Sequence, residues 1–390
     1  MELTKIAEAL GISPTPCQLD GYIKDSYNFS ICDISHIDGI DEEFSVFGKC
    51  KDKMSECAAL VKENPLLHTY GNAATLYINE HSLREAQALP LPEFNYDTPL
   101  RFFPLLVYAA LLPKTISDYY RRGFSRDEIR DIIKSSGSGR VIRAEARTGL
   151  QGLDLKGYRW LLNYVKGTIY GAGIFGVTPH TYDGHAVVLK NKKTGEYAVL
   201  LDGAYDKSGM AFGSTGYDDI ENTVSLDFEE TEEAYLGYPT KNSRASFERV
   251  EYKKSDWEIF LKKGDGVAGI HIPTGSVLTP ENIEHGFKLV LERTRYAFPE
   301  LNVKCIDCSS WLLDPTLSEI LSESSKIVGF QKYFSIYPIR SNEKSIFGHV
   351  FPSSYESYET LPEDTSLRRK LKEMYINGKY IYDFGGFVLE

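Results

Sequence analysis

The sequence predicts an α+β protein, with a mainly helical N-terminal domain over residues 1–170 and a mixed α/β domain over residues 171–390. Two observations predict it. Apolar residues recur at helical spacing through the first part, then alternate with period two after Gly171. Between Gly264 and Tyr337 a strand–loop–helix pattern occurs twice, which calls for helices packed on a sheet.

The helices follow from their ends. Leu3 to Leu10 stops at Gly11, placed as a C′ glycine. Met54 to Lys62 is amphipathic and stops before Asn64-Pro65. Phe102 to Arg122 is a long apolar helix bent or started at Pro104 and perturbed at Pro113. The next opens on Ser125-x-x-Glu128, a capping box, with Ile129, Ile132 and Ile133 on one face. Asp20 to Phe47 is less regular and has room for short strands.

Past Gly171, His185–Lys190 and Tyr197–Asp202 flank NKKTGE as a hairpin, and Arg244–Tyr252 reads as a strand. Ser255-x-x-Glu258 predicts a short helix ending at Lys262-Lys263-Gly264. Val267–Ile272 is an apolar, central strand. It enters a loop that opens a helix at Thr279-Pro280, with Ile283, Phe287, Val290 and Leu291 on its inner face. Strands are expected near Val303, over Val328–Ile336 and Ile346–Phe351, and at Phe387. Helices are expected from Asp314-Pro315 and over Ser366–Tyr375.

Composition narrows the function. The 390 residues are 42% hydrophobic and 25% charged, ordinary for a globular protein of two domains. The 26 tyrosines and 20 phenylalanines suit aromatic cores. A net charge of −11 without Lys/Arg-rich runs disfavours nucleic acid. Asp218–Glu233 holds eight carboxylates and no Lys or Arg, a solvated loop or a surface for a cationic amine. The N-terminus has no signal-peptide pattern, and no run approaches about 18 consecutive apolar residues, so a cytoplasmic protein without a membrane partner is expected. The six cysteines read as reduced thiols.

Several segments resemble a known family. IHIPTGSVLTP, CSSWLLDP and SKIVGFQKYFSIYP, with PLLVYAALLPKTISDYYRRGFS and FLKKGDGVAGIHIP upstream, are similar to bacterial acyltransferase-domain proteins. Those pair a helical N-terminal domain with a GNAT-like domain. The resemblance implies acyl transfer from a coenzyme A thioester to an amine or hydroxyl acceptor, without metal. It also implies that coenzyme A is cradled by the loop Pro273, Thr274, Gly275, Ser276 and Thr279. This loop lacks the usual Q/R-x-x-G-x-G/A pattern, and Glu281 in the first helical turn opposes a phosphate.

Catalysis would lie between the strands ending at Ile272 and Cys308. Cys308, Ser309 and Ser310 stand at the end of the second strand, with Cys308 either an acyl carrier or a buried, inert thiol. His271, opposite in facing to Ile270 and Ile272, is either a base at the cleft or a core histidine. The family often takes its acid from a tyrosine in the next helix. SSWLLDPTLSEIL has none, which leaves Ser309, Ser310, Tyr333 or Tyr337. Trp311 and Asp314 read as structural.

Other patterns carry less. Cys305-x-x-Cys308 puts its thiols on opposite faces of a strand, unsuited to a shared metal. Gly171-x-Gly173-x-x-Gly176 is followed by extended Val177-Thr178-Pro179, not a helix. A rival constellation places His185 and Asp202 across the hairpin, with Cys57 as thiol of a Cys-His-Asp enzyme. A non-catalytic ligand-binding protein is the third reading.

Overall fold

The computed structural model describes residues 3–95, 97–153, 155–273, 275–352 and 355–389. The chain divides into two compact units, Met1–Gly171 and Ala172–Glu390.

Within the described residues the first unit is helical. It comprises α1 (Leu3–Ala9), α2 (Asp20–Ile23), α3 (Ser35–Phe44), α4 (Cys50–Glu63), α5 (Pro65–Glu80), α6 (Leu83–Ala88), α7 (Phe103–Arg121), α8 (Arg126–Ser136), α9 (Ser138–Thr148) and α10 (Leu155–Val165). The stretch with room for short strands is helical instead. Buried Asn72 of α5 holds it there, accepting from Ile31 N at 2.9 Å and donating to Ser26 O at 2.9 Å. The capping box forms, with Ser125 N donating to Glu128 Oε2 at 2.7 Å. α7 keeps Pro113 inside it and is packed by α4, α5, α8 and α10. Counting consecutive apolar residues passed over one property. The helical span Pro99–Arg121 has the length and mean hydropathy of a membrane span, and 67% of that window is buried within the protein.

The second unit is built on a sheet. Its strands are β1 (Tyr170–Ala172, at the join of the units), β2 (Phe175–Thr181), β3 (Ala186–Asn191), β4 (Tyr197–Leu201), β5 (Gly203–Asp206), β6 (Thr223–Leu226), β7 (Glu229–Glu230), β8 (Ala234–Lys241), β9 (Arg244–Ala245), β10 (Val250–Lys253), β11 (Trp257–Leu261), β12 (Gly266–His271), β13 (Cys305–Ser310), β14 (Ser335–Pro338) and β15 (Phe384–Val388). Six of these form a mixed sheet in the order β1-β2-β12-β13-β15-β14, in which β12 and β13 are parallel. A second sheet runs β10-β8-β4-β3-β11. One face of the first sheet shares a core with the second. Tyr182, Val267, Cys305, Tyr337 and Phe387 there meet Val188, Val199, Leu201 and Leu261.

The opposite face carries α11 (Pro280–Ala297), which buries Ile283, Phe287, Val290 and Leu291 as its spacing predicts. Phe287 stacks on Phe175 of β2 at 5.3 Å between centroids. The approach is close because Gly286 has no side chain. A Cβ there would lie 2.7 Å from the Phe175 ring. After β13 come α12 (Thr316–Ile320), α13 (Lys326–Gln331) and α14 (Ser366–Ile376).

Four local expectations are corrected. Residues 257–261 form β11, not a helix: Trp257 and Ile259 pair with Asn191 and Leu189 of β3, and this ladder outweighs the capping-box pattern. Val328–Ile336 divides into α13 and the start of β14, since a short apolar run suits either period until packing decides. Arg244–Tyr252 is two short strands, not one. Ile346–Phe351 is irregular apart from a bridge between Phe347 and Phe351, and packs against α14 through Tyr375.

Candidate active site

The ladder joining β12 to β13 is short. Val267, Ala268 and Gly269 pair with Cys305, Ile306 and Asp307, and there the pairing stops. β12 continues through Ile270 and His271 paired to β2 alone, and β13 continues through Cys308, Ser309 and Ser310 paired to β15 alone. Two parallel strands in the middle of a sheet therefore part. Their facing backbone groups lose their ladder partners beyond Gly269 and Asp307.

Alternation puts Gly269, His271, Thr178, His180, Asp307 and Ser309 on one face of the sheet at this parting, beyond the apolar core marked by Val267 and Cys305. Nε2 of His271 lies 3.0 Å from Thr178 Oγ1. His180 Nε2 is 3.5 Å from Asp307 Oδ2, and its Nδ1 is 3.0 Å from Thr178 O. Oδ1 of Asp307 is buried and accepts no hydrogen bond within the described residues.

The two histidines titrate in opposite directions. Desolvation by the surrounding strands lowers His271, with Asp307 pulling the other way and His180 adding to the fall. Desolvation works against the charged form of His180 too, but its hydrogen bond and ion pair with Asp307 win and raise it to about 9. Near neutral pH, His271 is a neutral base and His180 a cation.

Two side chains of the loop after β12 are committed to the fold. Ser276 Oγ donates to Ile174 O at 2.9 Å, and Thr279 Oγ1 accepts from Asn282 N at 3.4 Å as the cap of α11. What remains for a ligand is backbone around Gly275, whose φ of +93° makes the turn, together with the first turn of α11. Pro273 precedes that turn, and Thr274 lies outside the described residues.

Other predicted residues stand elsewhere. Cys308 is buried at 2% exposure, and burial, with the charge of Asp307, pushes its thiol far up, so it is a poor thiolate. Cys305 is buried likewise, its thiol pushed up to about 12. Ser309 is exposed beyond the parting, whereas Ser310 Oγ is engaged by Leu312 N at 3.2 Å. Tyr337 is core, stacked on Phe387 at 4.9 Å with its hydroxyl 3.5 Å from that of Tyr182. Tyr333 is on the turn after α13, not on a strand, and its hydroxyl donates to Glu284 Oε1 at 2.8 Å. Buried Asp314 accepts from Thr316 N at 2.9 Å and Tyr382 N at 2.8 Å, a structural role.

The rival constellation is not assembled by its hairpin. Asp202 N donates to His185 O at 2.8 Å, but both side chains are exposed. Cys57 is buried in the helical unit, where desolvation pushes its thiol far up. Among the described residues no group of three His, Cys, Asp or Glu stands as a metal centre. Sequence reasoning missed His180, Thr178 and Asp307. One signal was available, a single carboxylate flanked by the apolar Ile306 and Cys308 on a strand.

Residues 220–388 match the family model of the GNAT-like C-terminal domain. Over its whole length the chain is similar to a mutant acyltransferase crystallised with octanoyl-CoA, at a TM-score of 0.66 and 15% identity, covering 100% of this chain and 99% of that one. It is also similar to an acyltransferase crystallised with decanoyl-CoA and teicoplanin, at a TM-score of 0.65 and 16% identity, covering 100% of both. No curated protein matches the sequence. At such identities the likeness is one of fold. Residues 220–388 are thus similar to the GNAT-like C-terminal domain, and the chain has the fold of these solved acyltransferases.

Proposed function

We propose that this protein transfers an acyl group from a coenzyme A thioester to an amine or hydroxyl acceptor. The observation that carries the reading is the parting of β12 and β13 at Gly269 and Asp307, with a neutral histidine on its lip and a helix N-terminus just beyond. Solved structures that share the fold hold octanoyl-CoA, decanoyl-CoA or CoA, two of them together with teicoplanin or 10C-teicoplanin.

The geometry suits direct transfer. The pyrophosphate lies against the backbone of the Gly275 turn and the start of α11, which brings the thioester to the parting. His271 takes the proton of the attacking amine or hydroxyl, for which an imidazole kept neutral at pH 7 is suited. Burial makes Cys308 unsuited to an acyl-enzyme route.

The test is a thermal-shift titration with coenzyme A, octanoyl-CoA and decanoyl-CoA, followed by a thiol-release assay over a panel of amines and alcohols. Saturable stabilisation and acceptor-dependent thiol release are expected. No shift with any thioester at millimolar concentration overturns the reading, and stabilisation without turnover favours a binding protein.

A further inference from the structure

The departing sulfur needs a proton, and the tyrosines are poorly placed to give it. Residues 311–320, WLLDPTLSEI, contain none. Tyr333 is committed to Glu284 on α11, and Tyr337 is packed in the core against Phe387, its phenol pushed well above 10 by burial. A second imidazole does face the parting. His180 leans from β2 across β12 to Asp307 on β13, its Cε1 above Gly269, where a Cβ would lie only 2.9 Å away.

On the acyl-transfer reading above, we propose that His180, held by Asp307, is the acid that protonates the departing thiolate, while His271 is the base for the acceptor. Both rings lie on one face, with Thr178 touching each: its hydroxyl meets His271 and its carbonyl meets His180. The bonds balance. The acceptor nitrogen or oxygen bonds to the thioester carbonyl carbon, and the C–S bond breaks with its pair on sulfur. The acceptor's proton goes to His271 and that of His180 to sulfur, giving an amide or ester and a free thiol. Solvent then restores both rings.

The electrostatics agree with this division, since two like groups held apart in proton affinity serve naturally as acid and base. Asp307 and Asp183 favour the charged form of His180, against desolvation. For His271, desolvation and the His180 charge outweigh Asp307. The phenols of Tyr182 and Tyr337 and the thiols of Cys305 and Cys308 are also coupled to Asp307.

The experiment is the pH profile of kcat/KM, with octanoyl-CoA and the best acceptor, for wild type, His180→Gln, His271→Gln and Asp307→Asn. Folding is checked by circular dichroism and by the shift with coenzyme A. Wild type is expected to give a bell with its alkaline limb at about 9. His180→Gln should lose about a hundredfold and that limb, keeping the acid limb. Asp307→Asn should move the alkaline limb downward, in step with the His180 ring titration followed by proton NMR. A folded His180→Gln protein within threefold of wild type, or one that keeps the alkaline limb, overturns the assignment and leaves acyl transfer standing. A wild type that releases no thiol with any acceptor overturns the acyl-transfer reading itself.

Discussion

His180 reaches Asp307 across an intervening strand, and Gly269 is what lets it pass. Val267, two residues before Gly269, pairs with His180 on one side, while Gly269 pairs with Asp307 on the other. The imidazole thus crosses the backbone of β12 at a point without a side chain, and Nε2 comes within 3.5 Å of the carboxylate.

Gly269→Ala should therefore break this pair with both partners left in the sequence. The new methyl would stand 2.9 Å from His180 Cε1 and 3.1 Å from Thr178 O. A loss of about 1–3 kcal/mol is expected from overpacking. A fall of about tenfold or more in kcat/KM should accompany it. A steady-state assay beside a denaturation curve checks both, and an alanine variant as active as wild type would show that the crossing is not needed.

The pair also sets a pH dependence of stability. A folded pKa of about 9 against the usual 6.5 means that native His180 holds its proton more tightly than the unfolded chain does. Its contribution is full below pH 6.5 and disappears as pH rises through 9. His180 is 37% exposed, so solvent screening reduces that contribution to about 1 kcal/mol. Equilibrium unfolding of wild type and Asp307→Asn at pH 6.5 and 9.5 should show the gap between them closing by that amount at high pH.

Gly275→Ala isolates the loop. Nothing lies within 4 Å of the added methyl, so the cost comes from φ of +93° alone, about 1–2 kcal/mol. Thermal stabilisation by octanoyl-CoA should weaken in this variant, while the His271 acid limb stays where it was. Unchanged titration by the thioester would place the nucleotide elsewhere.

Cys308→Ala should retain activity within about threefold, because a thiol raised this far by burial carries almost no thiolate at neutral pH. Mass spectrometry of wild type quenched during turnover should find no acylated Cys308. An adduct on that residue would replace direct transfer with a two-step route.

Asp314→Ala should act on folding. The carboxylate is 1% exposed and accepts from two amides, Thr316 N and Tyr382 N, which the variant strands. A loss of about 3 kcal/mol is expected, read as a lower denaturation midpoint with unchanged kcat in the protein that remains folded.

Much of this was legible beforehand where signals were local. Val267–Ile270 is apolar because β12 is buried there, and Thr279-Pro280 starts α11 because a cap and an N1 proline are short-range devices. Ser255-x-x-Glu258 misled for the same reason: the pattern is local, while the ladder from Trp257 and Ile259 to β3 is not. The site was only half legible. His271 could be found on its strand, but its partner Thr178 lies 93 residues earlier. His180 gains meaning only once β12 places it beside Asp307, and no spacing rule encodes a ring passing over a glycine.

The whole second sheet is inserted between β2 and β12. His180, on β2, cannot meet Asp307 or His271 until a segment from each side of that insertion has found the other, a closure that is costly in chain entropy and slow. Recovery of activity on refolding should consequently trail the return of secondary structure. The reacting groups come together last, so turnover reports the completed fold and not its parts.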